Sequence, residues 1–449
     1  MRWLIVVAAV SAAIVWGAFK FAPADLALVV ALALCGAVAF AAGKRPEVVV
    51  VALVGAAALD ITGRIATVGD ANLTLYQGLV AVVFVFAAWR VRKGESKLVG
   101  TPVDLPVIAF LGIAVASIFV APLPLVAVVQ VISILSCAVL VYLIVVLIDT
   151  PARAETLVLG VLGLAALWSV GAYFEKHSLL HFGTLLINYG YGVRTKMTFK
   201  DPNIFGDFLA VSSAMALPLA FVAKSWLKRL AIVGGVALCL AAIFWTGSRG
   251  ALAGFLIAAV VVVIALRIPL WQKVVFLAGA ALLVAAGIAF FVDPLWIQNK
   301  VIGVWQDESW MDRVRIVQSA LAMSHDHLIG VGAGNFSAIY PYYRDPLVRF
   351  DLVESHTMLA TILVEYGVVG LGVFLWLLWR FLSRTALVVW REKAGRVQAL
   401  ATGVLAGGFA VIAQSFTYSL ETSKYLWLTI GLGMALYGMS QVKSEKETQ

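Results

Sequence analysis

The sequence predicts an all-α polytopic membrane protein with about 12–14 transmembrane helices. Of its 449 residues, 63% are hydrophobic and only 13% are charged, against roughly 25% charged in an average soluble domain. The mean hydropathy is +1.00, and the apolar residues form stretches close to the ~20 residues with which a helix spans a bilayer. A transmembrane barrel would alternate apolar and polar residues instead. The composition therefore excludes a soluble globular domain, a disordered chain and a disulfide scaffold.

Candidate spans follow one another along most of the chain, and the first, which begins after Arg2, is interpreted as a retained helix because no convincing cleavage site follows it. That the number of spans is even is better supported than the count of fourteen. If two adjacent spans were miscounted, every later loop would still lie on the same side of the membrane. The spans are expected near residues 3–19, 26–42, 47–63, 75–90, 104–121, 125–148, 156–174, 202–223, 230–246, 250–266, 274–292, 357–379, 399–418 and 425–440.

The distribution of basic residues predicts the orientation. With the N-terminus in the cytoplasm, twenty of the 33 Lys and Arg residues fall in cytoplasmic segments. The short outer connections hold only Lys20, Arg64, Arg249 and Lys424. Since short cytoplasmic loops are enriched in Lys and Arg, both termini are expected in the cytoplasm. The net charge of +9 then reflects this loop bias, and no nucleic-acid partner is expected.

Two outer segments break the pattern of short connections. Residues 1–292 are expected to form transmembrane helices with a first outer loop at 175–201. Residues 293–356 are expected to form a small cap on the outer side, with a helix over Met311–Ser324. Residues 357–440 return to transmembrane helices and 441–449 form a cytoplasmic tail. Because long loops in compact folds are usually functional or disordered, and the cap is rich in aromatic residues, the chemistry is expected on the outer side.

His356 ends the long outer segment immediately before an apolar helix, and Glu365 lies nine residues further on, inside that helix. A helix N-terminus disfavours the imidazolium form, so His356 would be a neutral imidazole able to accept a proton. Its alternative role is packing at the membrane interface. An intramembrane carboxylate such as Glu365 is a functional candidate by default, with a contact between helices as the alternative.

Ser248 and Arg249 lie between two apolar helices, with glycine on either side. Glycine lets the backbone approach a ligand closely, and arginine binds phosphate in a bidentate manner. The same residues could instead form a tight turn with one anchoring arginine.

Arg194, Lys196 and Lys200 place three cations on the outer face, where positive charge is normally sparse. This clustering favours an anionic ligand, with Asn203 as a further binding residue. Asp201 or Asn203 could alternatively cap the helix that begins there, with proline in its first turn.

Arg313 and Arg315 lie on the predicted cap helix about 200° apart, so only one of them can face a given ligand. The glycines of Gly330–Gly334 resemble a dinucleotide fingerprint only faintly, and a turn is the preferred interpretation because no strand precedes them. Neither His325 with His327 nor His177 with His181 has further ligands at metal-binding spacing, so no metal site is expected.

These motifs, taken together in order and spacing, resemble those of the bacterial O-antigen ligase and polymerase superfamily over roughly residues 190–375. They are Ser248-Arg249-Gly250, the Arg313/Arg315 helix followed by the Gly330–Phe336 segment, and His356 followed by Glu365, Gly367 and Gly370. The length and the single moderate cap are most similar to an O-antigen ligase. The chain departs from the family in having Thr357 where asparagine is common, and in fourteen predicted spans where about twelve are usual.

The resemblance implies a membrane glycosyltransferase of the GT-C type in the bacterial inner membrane. Such an enzyme transfers a preassembled glycan from undecaprenyl pyrophosphate to lipid A–core on the periplasmic side, with inversion and without metal or cofactor. His356 would accept the acceptor proton and Arg249 and Arg315 would stabilise the leaving pyrophosphate. Substrate-binding roles would fall to Arg194, Lys196, Lys200, Arg313, Asn203 and Glu365.

Two other functions remain open. One is an O-antigen or exopolysaccharide polymerase, or another lipid-linked glycan ligase. The other is a transporter or lipid flippase, which would place ionisable residues near the bilayer midplane. Asp60 and Glu365 are expected to be the only carboxylates well inside the spans, and this favours an enzyme. Arg194, Arg249, one of Arg313 and Arg315, and His356 are expected to converge at the mouth of a lipid-accessible groove.

Overall fold

The structure is a computed structural model that describes residues 45–59, 64–68, 71–177, 179, 194–291, 308–348 and 355–448. The predicted spans 3–19 and 26–42 lie outside these residues. Within them, each of the other twelve predicted spans corresponds to a helix. The helices are α1 Pro46–Ala58, α2 Leu75–Arg92, α3 Asp104–Ser117, α4 Pro124–Leu147, α5 Pro151–Lys176, α6 Pro202–Val222, α7 Trp226–Thr246, α8 Arg249–Ala265, α9 Leu270–Phe291, α10 Glu308–Asp326, α11 Phe336–Ile339, α12 Met358–Arg391, α13 Arg396–Gln414 and α14 Lys424–Thr448.

The prediction of an all-α polytopic membrane protein is confirmed. Seven helices among the described residues are long and apolar enough to cross a membrane, namely α2, α4, α5, α6, α7, α12 and α13. Two short antiparallel strands, β1 Arg64–Val68 and β2 Ala71–Thr74, connect α1 and α2. The helix in the predicted span 47–63 therefore ends earlier, at Ala58. The residues that follow include Thr62 and Gly63, which are poor helix formers.

Small residues bring the central helices α6, α8 and α13 close together. A Cβ atom added at Gly254 of α8 would lie 2.7 Å from the carbonyl oxygen of Ala410 in α13. A Cβ atom at Gly403 of α13 would lie 2.1 Å from the carbonyl oxygen of Met215 in α6. Helix association in a membrane depends on close packing of this kind, because burial of apolar surface contributes little between helices in lipid.

Basic residues predicted to be cytoplasmic are joined to neighbouring helices at one end of this bundle. Lys228 of α7 and Arg396 of α13 both form ion pairs with Glu155 of α5. Arg267, just after α8, donates a hydrogen bond to the carbonyl oxygen of Trp390 in α12. Arg380 of α12 donates to the carbonyl oxygen of Pro102, 3.1 Å away and just before α3. This end of the bundle is the one that the charge distribution assigns to the cytoplasm.

Helix α12 is interrupted at Gly367, whose backbone has φ 69° and ψ −174°. A Cβ atom at this position would lie 2.4 Å from the carbonyl oxygen of Leu328, and that oxygen accepts a hydrogen bond from the backbone N–H of Val368 at 3.1 Å. The segment that follows α10, at Leu328, therefore packs directly against α12 where the helix is interrupted. Glycine is required here because other residues rarely adopt this backbone conformation.

Candidate functional site

The candidate site surrounds the connection between α13 and α14, residues 415–423, which we call the α13–α14 connection. The backbone N–H of Met358, at the start of α12, donates to the carbonyl oxygen of Ser415 at 2.9 Å. At the start of α8, a Cβ atom on Gly250 would lie 2.4 Å from Oγ1 of Thr417. At the end of α13, Nε2 of Gln414 donates to the carbonyl oxygen of Asn203 at 2.6 Å. The starts of α6, α8 and α12 therefore meet at this connection.

His356 precedes α12 by two residues and has a left-handed backbone, with φ 54°. Thr357 caps the helix, since its side chain accepts a hydrogen bond from the backbone N–H of Ala360 at 3.3 Å. The His356 ring lies 5.9 Å, between ring centres, from that of Tyr418 in the α13–α14 connection. The residue as a whole is partly buried, and the Nδ1 atom of its imidazole is enclosed by protein.

Arg249 is the first residue of α8 and follows a tight turn. Helix α7 ends at Gly247, which has φ 63°, and Ser248 caps α8 by accepting a hydrogen bond from the backbone N–H of Ala251 at 3.3 Å. The arginine is half-buried. The tight turn that the sequence suggested is therefore present, and it places Arg249 at the N-terminus of α8. The positive end of the helix dipole lies at this N-terminus.

Arg194 stabilises this same turn. Its Nε donates to the carbonyl oxygen of Thr246 at 2.6 Å, and a terminal nitrogen donates to Oδ1 of Asn203 at 3.3 Å. Its side chain also covers Gly247, where an added Cβ atom would lie 3.3 Å from Nε. A cation at a helix C-terminus bonds the last carbonyl oxygens favourably. Arg194 therefore joins the end of α7 to the start of α6, beside Arg249.

The other two cations of this segment have different surroundings, with Lys196 buried and Lys200 exposed. The backbone N–H groups of Lys196 and Met197 donate to one carboxylate oxygen of Glu175, at 3.0 and 2.9 Å. Asp201 caps α6 by accepting from the backbone N–H of Asn203 at 2.6 Å. Sequence reasoning missed Glu175, although a carboxylate in the last turn of a helix is unfavourable enough to suggest a specific partner.

Helix α10, which contains the predicted Met311–Ser324 helix, packs beside the first half of α12, with Ile316 and Ala320 in the same apolar cluster as Ala360 and Val364. A terminal nitrogen of Arg315 donates to the carbonyl oxygen of Leu347 at 3.3 Å and lies 3.7 Å from Oδ1 of Asp312. These contacts hold Arg315 within the cap. Arg313, on a different side of α10, is partly buried.

Glu365 holds the glycine-rich segment against α12. Its carboxylate accepts hydrogen bonds from the backbone N–H of Gly334 at 2.8 Å and of Phe336 at 3.4 Å. Its own carbonyl oxygen accepts from the backbone N–H of Gly332 at 3.0 Å. Gly330, Gly332 and Gly334 all have positive φ values, as in a turn. These contacts favour the structural alternative for Glu365.

Replacing Glu365 by Ala is expected to destabilise the protein by about 1–3 kcal/mol, because buried backbone donors at Gly334 and Phe336 lose their acceptor. The effect is measured as a lower midpoint of thermal unfolding in detergent. Lys97→Gln, a change at an exposed residue between α2 and α3, is the control and should leave the midpoint unchanged. An unaltered midpoint for Glu365→Ala would show that these hydrogen bonds do not stabilise the fold.

The expectation that Asp60 and Glu365 are the only carboxylates well inside the spans is wrong. Asp207, the sixth residue of α6, is fully buried, and its Oδ2 accepts a hydrogen bond from Oγ of Ser423 at 3.0 Å. Position alone could have identified Asp207, because it falls inside the predicted span 202–223. Asp60 lies outside the described residues. Asp207 lies only ~8 Å along α6 from its start, and its partner Ser423 belongs to the α13–α14 connection, so it adjoins the candidate site.

Metal ligands do not converge in the part of the chain that the structure describes, where no three His, Cys, Asp or Glu side chains are grouped suitably. Nδ1 of His325 lies 3.1 Å from Oδ1 of Asp326. His177 is exposed after α5, and its ring lies 4.5 Å from that of Tyr173. His181 is outside the described residues.

The fold and the site define a polytopic helical membrane protein whose polar candidate site lies between helix starts at one end of the bundle. Residues 234–375 match the family model described as O-Antigen ligase, a family of enzymes that act on glycans. The predicted resemblance is therefore confirmed for this part of the chain. The match includes Arg249, Arg313, Arg315, His356 and Glu365, whereas Arg194, Lys196, Lys200 and Asn203 precede it. No curated protein matches the chain significantly.

Proposed function

We propose that the protein is an O-antigen ligase, which transfers a preassembled glycan from undecaprenyl pyrophosphate to lipid A–core. The observation that carries the proposal is the approach of two helix starts to one connection. The backbone N–H of Met358, two residues after His356, donates a hydrogen bond to the carbonyl oxygen of Ser415. Gly250, the residue after Arg249, packs against the side chain of Thr417 in the same connection. Arg249 can bind an anion and His356 can accept a proton, and both adjoin the α13–α14 connection. This arrangement fits the transfer of a glycan from a pyrophosphate to a hydroxyl group.

Arg249 is suited to the donor pyrophosphate. A helix N-terminus attracts anions through its backbone N–H groups and dipole, and the guanidinium group adds a full charge with two parallel donors. Arg194, fastened to the turn before α8, would position Arg249 and add positive potential. One of the two cap arginines, Arg313 or Arg315, would be the second phosphate ligand, because residues two positions apart lie on different sides of a helix. Lys200 and Asn203 would bind the donor at the start of α6.

His356 would act as the general base in a single displacement. The acceptor hydroxyl oxygen attacks the anomeric carbon as its proton passes to the imidazole. The bond between that carbon and the phosphate oxygen breaks, and undecaprenyl pyrophosphate leaves with the bonding electrons. Attack opposite the leaving group inverts the anomeric centre. General-base catalysis of this kind contributes about 10²–10⁴-fold to rate, and fixed cations stabilise the charge on the leaving group.

A periplasmic site in the bacterial inner membrane is part of the proposal. Its support is the separation of charge along the bundle. Basic residues such as Lys228, Arg267 and Arg380 lie at the end opposite the candidate site, and short cytoplasmic loops are enriched in such residues. No nucleotide is required, because the donor linkage itself supplies the energy for transfer.

A transfer assay tests the proposal. Purified protein is incubated with a lipid-pyrophosphate glycan and either lipid A–core or a second molecule of the donor, and the products are separated by mass. Glycan attached to lipid A–core supports a ligase. Extension of the lipid-linked glycan with no product on lipid A–core would instead identify a polymerase, the second candidate within the same family.

Transfer is expected to continue after exhaustive chelation of divalent ions, because arginines would supply the charge that a metal otherwise provides. The rate is measured in excess chelator and after addition of Mg²⁺, Mn²⁺, Ca²⁺ or Zn²⁺ separately. Loss of transfer in chelator, with recovery on addition of one of these ions, would overturn the metal-independent mechanism and direct attention to His325 and His327.

A further inference from the structure

His356, just before α12, has a backbone conformation that few residues other than glycine adopt. Its φ of 54° lies in the left-handed region. Residues are held in this region only when several surrounding contacts determine their conformation, and such residues are frequent at active sites. The contacts around His356 therefore decide where its imidazole lies.

The hydroxyl of Ser355 closes a turn around His356. Its Oγ accepts a hydrogen bond from the backbone N–H of Thr357 at 3.2 Å and donates one to the carbonyl oxygen of Thr357 at 2.8 Å. A serine hydroxyl that bonds the backbone two residues further on forms a local turn. The residue inside this turn is His356, and its two flanking residues are joined by these hydrogen bonds.

Two further hydroxyls anchor that of Ser355. Its Oγ forms hydrogen bonds with Oγ1 of Thr361, in the first turn of α12, and with Oγ of Ser419 in the α13–α14 connection. Thr361 and Ser419 also bond each other at 2.8 Å. Because a hydroxyl has one proton and two lone pairs, a chain of donation can run from Ser419 through Thr361 and Ser355 to the carbonyl oxygen of Thr357. We call Ser355, Thr361 and Ser419 the hydroxyl cluster.

Capping of α12 does not account for the hydroxyl cluster, because the side chain of Thr357 already supplies the cap. Ser355 is 1% exposed and Thr361 is 5% exposed. Water does not readily replace a hydrogen bond between buried groups, so loss of one partner leaves the other unsatisfied. The cluster therefore holds the turn at His356 firmly.

The hydroxyl cluster also places His356 relative to the rest of the candidate site. Ser419 follows Tyr418, whose ring centre lies 5.9 Å from that of His356. The same short segment contacts the start of α8 through Thr417. A general base acts only within hydrogen-bond reach of the proton that it accepts. Bonds between this segment and the turn around His356 thus set the position of the histidine relative to the proposed donor site.

We propose that Ser355 is a positioning residue for His356. Its hydroxyl, anchored by Thr361 and Ser419, holds the imidazole where it can accept the proton of the attacking hydroxyl group. Ser355 takes no part in the proton transfer, because its own proton is donated to the backbone of Thr357. The inference rests on the proposed function, to which the role of His356 as general base belongs.

The kinetics of Ser355→Ala test the proposal. We expect kcat to fall by about 10–100-fold, because a displacement of about 1 Å can cost ~10²-fold in rate. The KM values for donor and acceptor should change by less than about twofold, since the buried Ser355 contacts neither substrate. Ser440→Ala is the matched control, because this buried serine loses a hydrogen bond to Glu392 at the opposite end of the bundle, and it should change neither constant. A rise in KM with kcat unaltered would overturn the proposal.

A double-mutant cycle separates positioning of His356 from a general loss of structure. In the His356→Asn background, Ser355→Ala should lower the residual transfer rate by less than about twofold, because residues that act as a unit are not additive. An equal loss in both backgrounds would refute the positioning role. Thr361→Val keeps the shape of the side chain without its hydroxyl and should lower kcat, whereas Thr361→Ser should restore it.

A spectroscopic measurement needs no turnover and so keeps the proposal separate from the ligase function. The histidine rings are labelled with ¹³C, and the NMR signal of His356 is identified by its absence in His356→Asn. Tyr418→Leu shows how this signal moves when the neighbouring aromatic ring is lost. Ser355→Ala should move the signal in the same direction, and Ser440→Ala should leave it in place.

An unchanged His356 signal in Ser355→Ala would overturn the proposal, whether or not the protein transfers glycan. A displaced signal in a protein that transfers no glycan would support the positioning role and refute the ligase function. Thermal unfolding shows whether each variant is folded. If Ser355→Ala does not fold, Ser419→Ala, at a residue that is only partly buried, takes its place in the kinetic and spectroscopic measurements with the same expected direction.

Discussion

Replacing His356 by Asn is expected to reduce glycan transfer by about 10²–10⁴-fold, the usual contribution of a general base. Asparagine is the informative substitution because it adopts the left-handed backbone region more readily than most residues, and His356 has φ 54°. The cap formed by Thr357 and the hydrogen bond from Met358 to Ser415 should therefore persist. The loss should appear in kcat, measured with saturating donor and acceptor.

His356→Ala should lose as much activity as His356→Asn, although its backbone is more strained. Tyr418→Phe is the control for the neighbouring aromatic ring, because it keeps the ring that faces His356 at 5.9 Å and removes only a hydroxyl. It should retain most of the transfer rate. If His356→Asn were folded and turned over at a near-normal rate, the general base would have to be another residue.

Arg249→Lys is expected to impair donor binding almost as strongly as Arg249→Ala. Lysine keeps the charge but is a point charge that lacks the planar pair of donors, so it cannot reproduce bidentate contact with a pyrophosphate. Hydrogen bonds to charged groups contribute about 1.5–3 kcal/mol, which corresponds to roughly 10–100-fold in affinity. Binding is measured by titration with the lipid-pyrophosphate glycan in the absence of acceptor, and turnover is measured separately.

Arg267→Lys is the matched control for Arg249→Lys. Arg267 lies two residues after the last residue of α8 and donates to the carbonyl oxygen of Trp390 at the opposite end of the bundle, so its replacement should leave donor affinity unchanged. Unaltered donor affinity in Arg249→Lys would show that charge alone suffices. Unaltered affinity in Arg249→Ala as well would remove Arg249 from the donor site.

Much of the fold could be predicted because a membrane helix is determined by local composition. Apolar stretches near twenty residues must satisfy their own backbone hydrogen bonds in lipid, and only a helix does so within one segment. The predicted spans 125–148 and 202–223 correspond to α4 and α6 within one residue at each end. The predicted span 47–63 extended past the end of α1 at Ala58. It was drawn from hydropathy alone, without regard to the low helix propensity of Thr62 and Gly63.

The candidate site was only partly predictable. Arg249 and His356 could be singled out because each adjoins the start of an apolar helix, which is a local property. Asp207 was overlooked although its position inside a predicted span was visible. Glu175 gave a weaker signal, because its partners, the backbone N–H groups of Lys196 and Met197, are about twenty residues away across a loop.

By itself, the sequence determined the membrane class, the order of the helices and the family resemblance, since these depend on residues close together in the chain. Only the tertiary structure decided which residues meet. The side chain of Gln414 donates a hydrogen bond to the carbonyl oxygen of Asn203, 211 positions earlier in the chain. The carboxylate of Glu365 accepts a hydrogen bond from the backbone N–H of Gly334 in the cap. Such contacts follow from how the helices pack, and helical periodicity defines a face without specifying the partner that covers it.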